Sequence, residues 1–192
     1  MRRRTVAGRG DAQRTRERLI DAAAELFNTV GYAGTDSNRI ARAAGYAPAM
    51  FYKHFDDKRE IFLAAYSRWV TSELNGIREI SSRAKGRPAV SRITRRVLEH
   101  HRRWAGFRRS LRALSLSDEQ VRDFRLEQRV AQLEVLQKLT RVKPTRRSDQ
   151  VFMLLVFERI CDAIADGEAK ALGAREGELV QRLEELVAAV RP

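Results

Sequence analysis

The chain has 192 residues, with 38 Lys and Arg against 25 Asp and Glu, a formal net charge of +13 and a pI near 10.9. That excess favours polyanionic partners without choosing among nucleic acid, anionic membrane and phosphorylated ligands. A single cysteine, Cys161, excludes an internal disulfide. The lack of a long uncharged apolar run excludes a membrane-spanning helix and a signal peptide, so a folded cytoplasmic protein is expected.

Almost every segment carries the 3.6-residue period of helices and almost none the alternation of strands, which predicts an all-α fold. Residues 1–10 read as a basic flexible arm. Arg2, Arg3, Arg4 and Arg9 suit either a minor groove or a solubilising tail. The first helix is predicted over 12–29, capped by Asp11, with Leu19, Ala23, Leu26, Phe27 and Val30 as its apolar stripe and Gly31 as its stop. A second, over 37–44, takes its cap from Thr35 or Asp36 and ends at Gly45. A third starts at Pro48, whose missing N–H costs nothing in a first turn. A fourth runs from about Asp57 to Ser82.

Beyond a connector at 84–88, helices are predicted over 90–104, 107–114 and 117–142, the last opened by a capping box of Ser117 and Gln120. Lys143 and Pro144 break the chain. A long apolar helix then spans 148–172 up to Gly173, and an amphipathic one spans 176–190.

The second and third helices are separated only by Gly45-Tyr46-Ala47 and share an apolar face of Ile40, Ala41, Ala44 and Phe51, the pattern of a helix-turn-helix. In that motif the later helix enters the major groove by its N-terminal half. Ala47, Pro48, Ala49 and Lys53 are then expected to face bases, and Tyr52 and His54 to reach phosphates. Phe51 and Phe55 hold the helix to the core, and Arg39 joins the DNA-facing set. Catalysis is not expected. His54 lies in the recognition helix, His100 and His101 point different ways on one helix, and Cys161 has no ligand partner at metal spacing. Neither a nucleophile motif nor a Gly-rich phosphate loop appears, so no metal or cofactor is expected.

The stretch from Thr15 to Tyr66 resembles the DNA-binding domain of TetR-family transcriptional regulators. The likeness rests on Ala23-x-x-Leu26-Phe27, Gly31-Tyr32-x-x-Thr35, Ile40-Ala41-x-x-Ala44-Gly45 and Phe51-Tyr52-x-His54-Phe55-x-x-Lys58. The resemblance implies phosphate contacts from Thr35, Tyr52, His54 and Lys58. Three residues depart from the pattern. Ala47 stands in place of the usual Ser or Thr cap, a loss of about 1 kcal/mol. Met50 stands where a small residue or Thr is common, and Ser37 replaces an apolar residue. Apolar contacts from Pro48 or Met50 to thymine methyls gain weight accordingly.

The resemblance also implies a division into a helix-turn-helix domain over 11–57 and an effector-binding and dimerisation bundle over 58–192. The dimer face is expected from Phe152, Leu155, Ile160, Ile164, Leu179, Leu183 and Leu186, on two helices able to form a four-helix contact between subunits. Trp69, His100, Trp104, Phe107 and Phe124 are the candidates for an effector pocket. The segment 83–112 carries eleven Lys and Arg against Glu99 alone, which suits either an anionic ligand or a solvated face. The expected function is repression of transcription by a homodimer on a palindromic operator, released by an apolar or anionic small molecule. A non-specific architectural DNA binder, and a ligand-responsive adaptor without DNA binding, are the alternatives.

Overall fold

The computed structural model describes residues 6–140 and 146–189. The expectations for Arg2, Arg3, Arg4, Lys143, Pro144 and Val190 fall outside them. The described residues form helices without strands: α1 Val6–Thr29, α2 Ser37–Ala43, a 3-10 helix Pro48–Lys53, α3 Lys58–Arg83, α4 Gly86–Arg103, α5 Ala105–Ser117, α6 Glu119–Thr140, α7 Arg147–Ala165, α8 Glu168–Ala171 and α9 Glu176–Ala189.

Four boundaries differ from those read in the sequence. The first helix begins at Val6, inside the expected arm. Asp11 is therefore no cap; its carboxylate pairs with Arg14 one turn on. Helix α4 starts at Gly86, because Pro88, read as connector, fits the first turn of a helix. Ser117 closes α5 instead of opening α6, and the cap of α6 is Asp118, which accepts from Val121 N at 3.1 Å. The long apolar helix is interrupted at Asp166 and Gly167, where glycine takes φ +78° and a short α8 follows.

The chain divides into two compact units. The first comprises residues up to Arg68 together with Gly106–Arg122, and the second Trp69–Ala105 with the chain from Asp123 on. The division differs from the boundary drawn at 57/58, since the first part of α3 and all but the first residue of α5 join the helix-turn-helix.

The first unit is held by aromatic packing. Phe27 meets Phe62 edge-on at 5.1 Å between centroids, and Phe62 stacks on Phe107 at 4.8 Å. Leu19, Ile20 and Ala23 of α1 and Ile61 of α3 close the same core. At Gly106 α5 comes so close to α1 that an added Cβ would lie 1.8 Å from Asn28 O, and Phe107 N donates to Asn28 Oδ1 at 3.1 Å. In the second unit α4 packs against both α7 and α9, and Val90, Val97, Leu98, Cys161 and Leu183 are buried. Arg125 and Arg129 of α6 share the carboxylate of Glu158 on α7.

Candidate nucleic-acid interface

The geometry of the first unit follows from local chemistry at two glycines. Gly31, at φ +83°, ends α1, and the loop behind it is tied by Thr35, whose hydroxyl donates to Gly31 O at 2.8 Å. Asp36 then caps α2, its carboxylate accepting from Arg39 N at 2.8 Å. Gly45, at φ +82°, ends α2 in a Schellman turn. Tyr46 N donates to Ala41 O at 2.9 Å and Gly45 N to Arg42 O at 3.0 Å. The chain thus reverses in three residues, and the 3-10 helix packs back on α2.

That short helix has two unlike sides. Phe51 is fully buried and Phe55 nearly so, their centroids 5.7 Å apart, with the Arg16 guanidinium 4.8 Å above the Phe55 ring. Ala47, Ala49, Tyr52 and Lys53 are exposed, and Pro48, Met50 and His54 are half-buried. Tyr52 is 60 % exposed although its ring lies against Phe51, so its phenol is presented outward on a fixed base. Ala47 makes no side-chain cap, and Pro48 holds the first turn. Burial holds the His54 imidazole below its ordinary pKa, and the nearby Arg16 and Lys53 charges push it further down.

Two expected phosphate contacts are already engaged within the unit. Thr35 is buried, its hydroxyl on Gly31 O. Lys58 Nζ donates to Tyr32 O at 3.0 Å and sits 4.1 Å from the centre of the Tyr32 ring. Both therefore fix the turn between α1 and α2. Arg39 is exposed and donates from Nη1 to Gly34 O at 3.1 Å. Asp57 caps α3 by accepting from Glu60 N at 2.7 Å, and Glu60 reaches back to Asp56 N at 2.6 Å.

Residues 19–65 match the model of bacterial regulatory proteins of the tetR family. The head belongs to the TetR family. Among similar proteins, the transcriptional regulator AcrR of Shigella flexneri is 35 % identical over 91 residues, 47 % of this chain and 41 % of its own length. The transcriptional activator FasR of Mycolicibacterium smegmatis is 36 % identical over 64 residues, 33 % of this chain and 29 % of its own. The aligned stretches thus span less than half of each relative. The fold extends further. The fatty acid degradation regulator FadR of Bacillus halodurans superposes with a TM-score of 0.72 at 17 % identity, over 91 % of this chain and 94 % of that one.

The candidates for an effector pocket fall in both units. Phe107 belongs to the aromatic core of the TetR-family head. Trp69, His100, Trp104 and Phe124 lie in the second unit. There, Trp69 and His100 are buried and stacked at 4.7 Å, with His100 Nε2 3.3 Å from Trp69 O. Trp104 is half-buried at the end of α4, with the Arg103 guanidinium 5.4 Å above its ring, and Phe124 is half-buried on α6. The sequence reading missed the buried pair beside them, His101 Nδ1 and Asp162 Oδ1 at 2.9 Å, which ties α4 to α7. A cleft of about 450 Å³ lies instead between α4 and α9, floored by Leu98 and Val180 and walled by Arg95, Arg102, Glu176 and Glu184.

The candidate dimer face also divides. Phe152 is 57 % and Leu155 45 % exposed on α7, while Ile160, Leu179 and Leu186 are half-buried. Ile164 and Leu183 are buried in their own unit, because α4 packs on the inward edges of α7 and α9. Among the described residues no group of His, Cys, Asp and Glu could hold a metal ion, and no helix is long and apolar enough to cross a membrane.

Proposed function

We propose that this chain is a cytoplasmic transcriptional repressor that binds a palindromic operator as a homodimer and is released by a small molecule. The observation that carries the DNA-binding part is the two-sided 3-10 helix. Phe51 and Phe55 are buried, whereas Ala49, Tyr52 and Lys53 are exposed and Pro48, Met50 and His54 half-buried. On this reading Pro48, Ala49 and Met50 meet base edges, Tyr52 and His54 meet phosphates, and Lys53 adds charge at the groove. Thr35 and Lys58 hold the turn that presents them, and Arg39 flanks it.

The homodimer is supported by Phe152 and Leu155, large apolar side chains left uncovered on α7. Two heads related by a two-fold axis would read half-sites about 34–36 Å apart. Effector release is a population shift, in which the ligand prefers a form of the dimer whose heads are wrongly spaced. The polar node of Trp69, His100, His101 and Asp162 is the place in the second unit where such a ligand would find both stacking and hydrogen-bonding groups.

The test is to incubate the full chain with sheared DNA of its own genome, capture it and sequence what is retained. One palindrome, enriched over all other sequence and lost with Tyr52→Ala, is the expected result. An even smear would replace the repressor with an architectural binder, and no retained DNA would leave a ligand-responsive adaptor.

A further inference from the structure

The basic segment is not an evenly solvated face. Gly76 lies under the Arg96 side chain, 3.0 Å from Nε to an added Cβ, which sets α4 back along the C-terminal half of α3. The ends of α3 and α4 on either side of the turn between them carry Arg78, Arg83, Lys85, Arg87, Arg92 and Arg96, all exposed. The one acid among them on α3, Glu79, is taken by Arg83 at 2.9 Å. On α4 only Glu99 opposes the cations, whereas α9 carries Glu176, Glu178, Glu184 and Glu185. An ordinary soluble face intersperses the two signs, whereas residues 76–98 carry seven cations against Glu79 alone. Lys85 and Arg87 also flank the start of α4, the helix end that disfavours cations.

The chemistry of the patch selects its partner. Five of its six cations are arginines, whose planar forks suit phosphate. None of the large exposed apolar side chains among the described residues falls between positions 75 and 103. The patch thus lacks the apolar wedge of a membrane-binding surface, the stacking platform of a single-strand binder and the aromatic anchor of a protein interface. What remains is a set of exposed cations on two helices, which suits a duplex phosphate backbone read without sequence.

We infer that the α3–α4 turn is a second, sequence-independent DNA-binding surface, distinct in its residues from the helix-turn-helix. The choice of DNA over structured RNA rests on the function proposed above. The contact serves to hold the full chain on duplex DNA whether or not the recognition helix is engaged.

The experiment uses full-length protein and a labelled random-sequence 40-bp duplex, followed by fluorescence anisotropy between 50 and 200 mM NaCl. A head-disabled chain, Tyr52→Ala with Lys53→Glu, should keep salt-steep binding to this duplex. Adding Lys85→Gln, Arg87→Gln and Arg92→Gln should weaken it at least tenfold at 50 mM NaCl. The slope of log K against log salt should fall by about 2–3, near 0.9 for each phosphate contact removed. Circular dichroism checks that the variants remain helical. The inference is overturned if the head-disabled chain does not bind, if the three substitutions leave affinity and slope unchanged, or if binding goes preferentially to duplex RNA or to vesicles with 30 % phosphatidylglycerol. The two readings fail separately. An effect of the three α3–α4 substitutions without any preferred sequence would remove the operator alone, and a preferred palindrome without that effect would remove the second surface alone.

Discussion

Replacing Gly106 by alanine should destabilise the head, although the same exchange within a helix ordinarily helps. The added Cβ would sit 1.8 Å from Asn28 O, and ordinary contact begins near 3.4 Å, so α5 must retreat from α1 by about 1.6 Å. That retreat breaks the 3.1 Å hydrogen bond from Phe107 N to Asn28 Oδ1, about 1 kcal/mol, and strains the Phe62–Phe107 stack. Overpacking of this kind costs about 1–3 kcal/mol. Helix propensity returns about 1 kcal/mol, leaving a net loss of about 1–3 kcal/mol. In a chain of this size that lowers Tm by about 2–12 °C. Gly177→Ala is the control: its added Cβ meets nothing within 4 Å, so propensity alone acts and Tm should rise by up to about 4 °C. Thermal unfolding followed at 222 nm measures both. A rise in Tm for Gly106→Ala like that for Gly177→Ala would refute the close approach of α5 to α1.

Three further outcomes are expected. Thr94 Oγ1 is buried with no hydrogen-bond partner among the described residues, so the isosteric Thr94→Val should raise Tm by about 2–4 °C, a gain of about 1 kcal/mol; a fall would mean that the hydroxyl is satisfied. His54 has a lowered pKa and is neutral at pH 7, while DNA phosphates favour its imidazolium. Binding therefore takes up a proton, and affinity should rise as pH falls from 7 to 5.5; His54→Gln should flatten that dependence in anisotropy titrations. If the proposed homodimer forms through α7, Phe152→Asp should leave the helical content unchanged and halve the mass seen by light scattering, from twice 22.0 kDa to one copy; a variant still of two copies would place the contact elsewhere, and a parent chain of one copy would refute the dimer.

The parts of this molecule that were legible in advance are those whose signals are local. Gly45 is readable because only a left-handed residue ends α2 with Tyr46 N on Ala41 O, and Asp36 because a cap sits three residues from the N–H it satisfies. Phe51 and Phe55 are legible as anchors because two aromatics four apart among polar residues point to burial, although only Phe51 lies within the 3-10 helix. Local signals also misled where two were available. Ser117 and Asp118 both suit a helix start, and the winner is the one whose carboxylate meets Val121 N. Gly167 gives no such signal because Ala165, Ala169 and Leu172 keep the helical spacing across it, yet its φ of +78° ends α7.

What stayed hidden depends on residues far apart in sequence. The charge of Lys58 could be counted, but its expenditure on Tyr32 O, 26 positions away, belongs to the folded turn. Asp162 carried one clue, an acid between Cys161 and Ala163 on an apolar helix, where an unpaired carboxylate would be costly. Its partner His101 lies 61 positions away, and nothing in the sequence joins the two. The same limit governs function. The helix-turn-helix is a short-range device, and its spacing carries its chemistry. A ligand pocket is assembled from helices that meet only in the fold, so Phe107 could share an aromatic composition with Trp69 and still serve the head. For this reason a test of the proposed effector binding starts at the node of Trp69, His100, His101 and Asp162, where three helices of one unit converge on buried groups that stack and hydrogen-bond.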